Sequence, residues 1–74
     1  MDEYQRGRRR ILVAVYQDPE NISDEWVSQQ ITALKAEITP QCMERFLEVV
    51  RNIRVGDIKN VTEAEEELEK EPCC

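Results

Sequence analysis

The 74-residue chain has no histidine, two glycines, one tryptophan, one phenylalanine and two tyrosines. Without histidine, the usual general base and the commonest neutral metal ligand are both missing. Two glycines leave no Gly-rich loop to cradle a phosphate. There are only two serines, and neither has a partner for nucleophilic activation. The carboxylates concentrate toward a C-terminal stretch where solvent would leave their pKa values untuned. The chain therefore reads as a non-enzyme with no cofactor, no metal site and no small-molecule substrate. Its longest uninterrupted apolar run, Ile11 to Tyr16, is too short for a membrane span or the apolar core of a signal peptide. The expectation that follows is an intracellular protein, cytoplasmic with nuclear location as the alternative. In such a reducing compartment Cys42, Cys73 and Cys74 are expected as free thiols.

Charge is plentiful but unevenly placed. The net charge is −6. Residues 1–10 carry four arginines against two acids, a balance of +2, whereas residues 57–74 carry seven acids against two lysines, a balance of −5. An acidic total disfavours indiscriminate nucleic-acid binding by the whole surface.

The strongest local pattern is Thr39 to Val55. Thr39 suits an N-cap, and Pro40 suits the first helical position, where no N–H is required. Cys42, Met43, Phe46, Leu47, Val49, Val50 and Ile53 then share one broad face, roughly 160° wide at helical spacing. Gly56 follows where a helix C-terminus favours it. An apolar arc this wide calls for more than one covering element, and a chain this short has little to spare.

Upstream, Ser23 is the expected N-cap of a helix from Asp24 to Ile38, with Ile22 and Val27 spaced as a hydrophobic staple. Val27, Ile31, Leu34 and Ile38 form a narrower stripe, roughly 60° of arc. The two helices read as an antiparallel hairpin joined at Thr39-Pro40. Downstream, Thr62 and Glu65 have capping-box spacing for a marginal helix from Glu63 to Lys70, followed by a loose tail. The sequons at Asn21-Ile22-Ser23 and Asn60-Val61-Thr62 read as helix starts, with Ser23 and Thr62 as the caps.

The first segment is ambiguous. As a helix, it is capped by Asp2 and gathers Tyr4, Ile11 and Val15 on one side, with Asp18-Pro19 stopping it. As a strand, it draws on the β-branched Ile11, Val13 and Val15, but Gly7 then no longer counts against it, as it does in a helix. A strand here has no second strand in the chain to pair with, so it would need another molecule. On the strand reading, Arg10 to Ile53 resembles the strand-helix-helix order of the ribbon-helix-helix DNA-binding dimers. That resemblance implies a dimer whose strands read a DNA groove. The sequence departs from the pattern in three places. Its strand offers only Tyr16 as a polar reader, its Asp-Pro-Glu-Asn linker is long, and the Thr39-Pro40 join has no glycine turn. The terminal Cys73-Cys74 is similar to the doubly prenylated ending of Rab-type small GTPases; no phosphate-binding loop accompanies it, and exposed thiols are the plainer reading.

The expected architecture is thus all-α, a small three- to four-helix domain, with the N-terminal strand as the alternative. Its parts are a basic segment over 1–17, a hairpin core over 18–56, and an acidic helix and disordered tail over 57–74. The expected function is a non-catalytic protein–protein interaction module, adaptor or regulatory in kind, that associates with itself as a dimer. Val13, Tyr16 and Trp26 are its candidate contact residues. Trp26 serves equally as a core-edge residue. The alternative is a nucleic-acid binder using Arg6, Arg8, Arg9 and Arg10, whose guanidinium groups grip phosphate bidentately.

Overall fold

A computed structural model describes residues 3–70. Four helices follow one another: α1 (Glu3–Gln17), α2 (Asp24–Leu34), α3 (Pro40–Arg54) and α4 (Val61–Lys70), with no strand among the described residues. The first segment is therefore a helix, and the ribbon-helix-helix order does not apply. The β-branched Ile11 and Val15 are accommodated because both are buried against other helices. Tertiary packing outweighs their weak preference for a strand. Asp2 lies outside the described residues, as do Cys73, Cys74 and the rest of the expected tail.

Helices α1 and α3 occupy the middle, each touching all three others, while α2 and α4 sit on opposite flanks and do not meet. This arrangement buries Cys42, Phe46, Val49, Val50 and Ile53 of the broad α3 arc and leaves Met43 and Leu47 half-buried at its edge. Phe46, Val49, Val50 and Ile53 join Ile11, Leu12 and Val15 of α1, Val27 and Ile31 of α2, and Ala64 of α4 in one core. Most of the arc is covered within the chain because α1, α2 and α4 each contribute a side of the cradle.

The ends of α3 follow from its sequence. The Thr39 hydroxyl accepts the Cys42 N–H at 3.2 Å. At the other end Gly56 adopts φ +86°. Its N–H reaches the Ile53 carbonyl at 3.2 Å, and the Asp57 N–H reaches Asn52 at 2.9 Å. That pair of bonds is the Schellman closure, which requires a left-handed residue.

Two helix boundaries differ from expectation. Helix α2 ends at Leu34, not Ile38, with Lys35 in extended backbone at its C-cap. A five-residue link then replaces the expected two-residue join. Pro40 keeps Thr39 out of the α region, so the link closes on the Thr39 cap. Helix α4 begins at Val61, and its cap is Asn60 instead of Thr62. The Asn60 Oδ1 accepts the Glu63 N–H at 2.8 Å, and the Glu63 carboxylate reaches back to the Lys59 N–H at 2.9 Å. The earlier start places Val61, Ala64 and Leu68 together on the core side.

Gly7 also changes meaning. A β-carbon there would lie 2.4 Å from Leu34 Cδ2. Its missing side chain is what lets α1 and α2 approach, which offsets its helix-propensity cost of about 1 kcal/mol.

Cys42 is 3 % exposed and disulfide-bonded, not the expected free thiol. The chain's other two cysteines lie outside the described residues. Disulfides persist mainly in oxidising compartments.

Candidate interaction surface

Helix α1 buries Gly7, Ile11, Leu12 and Val15, and helical spacing turns Arg6, Arg10, Val13 and Gln17 the opposite way. Together with Arg9 and Ala14 they line an open groove of about 460 Å³ on the outside of the helix. Val13 and Ala14 are half-buried at its centre, while Arg6, Arg9, Arg10 and Gln17 are exposed around them.

The four arginines do not act as one cluster. Arg8 points away from the groove and lies with its guanidinium carbon 5.8 Å from the centre of the Tyr4 ring. The Lys35 ammonium lies 5.4 Å from the same ring, so two cations share one aromatic face system. Arg9 reaches across to α4 and pairs with Glu65 at 3.0 Å. Arg6 and Arg10 take part in no ion pair among the described residues, and both line the groove. The i, i+4 spacing of Tyr4 and Arg8 was visible in the sequence and marks the pair. The Arg9–Glu65 bridge, spanning 56 positions, had no such signal.

The three candidate contact residues separate. Val13 lines the α1 groove. Trp26 is partly buried against the core and lines a second depression of about 310 Å³ between α1 and α2, which Arg10 also borders. Arg10 thus links the two. Tyr16 is engaged inside the molecule: its hydroxyl donates to the Ile58 carbonyl at 2.8 Å, tying α1 to the segment before α4. Burial raises the Tyr16 pKa above its usual value near 10, and the charge of Glu63 adds to the effect. The raised native value means that the folded protein holds this proton after the unfolded chain has lost it. Its contribution is therefore complete below about pH 10 and is lost as pH climbs from there through the native value. Tyr16→Phe is expected to cost about 1 kcal/mol near neutrality. It should also make the alkaline fall in stability shallower than in wild type, as read from urea midpoints between neutral and strongly alkaline pH.

Two arginines of α3 act as straps. Arg54 donates to the Asp24 carboxylate and to the Ile22 carbonyl, joining the end of α3 to the start of α2. Arg45 donates to the Glu67 carbonyl at 3.1 Å and approaches the Glu48 carboxylate at 3.5 Å. Lys70, bonded to Glu67 at 2.8 Å, holds that carboxyl below the ordinary range, with Arg45 assisting. These carboxylates have structural partners. Among the described residues no group of three or more His, Cys, Asp or Glu side chains gathers in a metal-binding arrangement, and no helix is long and apolar enough to cross a membrane. The chain matches no protein-family model, no curated protein and no solved structure.

Proposed function

We propose that the protein acts without catalysis, by binding another protein through the outer face of α1. The observation that carries this reading is the make-up of that face: Val13 and Ala14 at the centre of an open groove, ringed by exposed arginines. Protein interfaces share this plan, with an apolar centre, a polar rim and an enrichment in arginine. Trp26, beside the same arginine on the α2 side, supplies a large ring of the kind that anchors hot spots.

The nucleic-acid alternative asks all four arginines to face one phosphate backbone. Arg8 is drawn to Tyr4 and Arg9 to Glu65. The neighbouring α4 lines that flank with carboxylates, which repel phosphate. Two arginines beside an acidic helix make a poor phosphate track and a suitable rim.

A photo-crosslinking residue placed at Val13 tests the reading in extract of the source cells, with one at exposed Glu44 of α3 as the control. Protein adducts are expected at position 13 well above those at position 44. Equal yields at the two positions, or sub-micromolar and steeply salt-dependent binding of RNA or DNA that is lost in an Arg6→Ala/Arg10→Ala variant, would overturn it.

A further inference from the structure

We propose that the partner seated on the α1 face is a second copy of this chain, its α1 running antiparallel to the first across a two-fold axis near Val13. This rests on the interaction reading above and names its partner. The face is self-complementary along its length. Basic Arg6 and Arg10 occupy its first part, apolar Val13 and Ala14 its middle, and Gln17 its end, with acidic Asp18 and Glu20 exposed just beyond. Reversing the direction of a second α1 about Val13 sets the valines together. It also brings the basic first half of each α1 toward the exposed acidic turn, with Asp18 and Glu20, that follows the other. A two-fold contact uses the same patch twice, so each such match occurs twice.

The backbone dipole gives an independent reason. Helix α1 has no basic residue in its last turn, and its arginines lie in its first half. The peptide dipoles favour the opposite order, with cations at the C-terminus and anions at the N-terminus. An antiparallel neighbour lays the basic half of one helix beside the negative end of the other and so relieves the mismatch in both. Val13 and Ala14 are small enough for the axes to close to the usual helix–helix distance of about 8–10 Å. The groove runs from Arg6 to Gln17, roughly 16 Å at helical rise. A contact of that length falls below the standard interface size, so the dimer is weak and concentration-dependent.

Sedimentation equilibrium of the purified full chain, from tens of micromolar to about 1 mM, should show mass rising from 8.7 kDa toward twice that value. Val13→Asp should weaken association at least tenfold. The charge test uses two variants that both retain the core, checked by circular dichroism. Arg6→Glu/Arg10→Glu reverses the charge of the basic half of the face, and Gln17→Lys/Glu20→Lys reverses that of the acidic end. Neither should dimerise alone, and an equimolar mixture should restore dimer. A wild-type mass of 8.7 kDa throughout, a mixture that stays monomeric, or a wild-type dimer untouched by Val13→Asp would each overturn the second copy as occupant. Adducts from position 13 to a different protein, with a monomeric wild type, would leave the broader interaction reading standing. Absence of both would remove the two together.

Discussion

Phe46→Ala is expected to lower the unfolding free energy by about 3–5 kcal/mol. Phe46 is the chain's only phenylalanine, is 2 % exposed, and lies in a core that draws on all four helices. Truncation there leaves a cavity in the one core that all four helices share. At roughly 0.05–0.15 kcal/mol per residue, a domain of this size holds about 4–11 kcal/mol in all. The variant should therefore be partly or wholly unfolded at 25 °C by circular dichroism. Phe46→Leu, which keeps most of the apolar volume, should melt between the two. A Phe46→Ala protein that melts with wild type would show that α1, α2 and α4 do not converge on this side chain.

Reduction of the disulfide at Cys42 is expected to cost about 2–4 kcal/mol, chiefly by enlarging the unfolded ensemble. Cys42 sits in the first turn of α3, one turn before Phe46, so a link formed there constrains the helix on which the core is assembled. Thermal melts with and without a thiol reductant measure the effect. Cys42→Ala should melt low in both conditions and show no further response to reductant. Identical wild-type melts in the two conditions would show that the link carries no stability.

Several features were legible in the amino-acid order because they are local. The Thr39 cap, Pro40 at the first helical position and the left-handed Gly56 set both ends of α3 within a few bonds of themselves. Ser23 did the same for the start of α2. The core residues of α3 followed from spacing alone, since helical periodicity fixes which side chains share a face. The outward position of Val13 on a helical α1 followed in the same way.

Tertiary structure decided everything that depends on contact at a distance. Ile11, Val13 and Val15 fit a strand or a helix equally by composition, and only burial of Ile11, Leu12 and Val15 against the other helices selects the helix. Gly7 weighed against a helix locally, yet it permits the approach of Leu34 from another one. Thr62 had the spacing of a cap, but α4 starts two residues sooner, which brings Val61 to the core and passes the cap to Asn60. Tyr16 was as apparent a contact residue as Val13 until the Ile58 carbonyl took its hydroxyl. The arginine cluster was contiguous in sequence and was divided in space by Tyr4 and Glu65. The physical reason is common to all five. Local order records a residue's backbone preference and its face, whereas its neighbours across the fold are set by how four amphipathic helices close around one another, and no short window of sequence contains that.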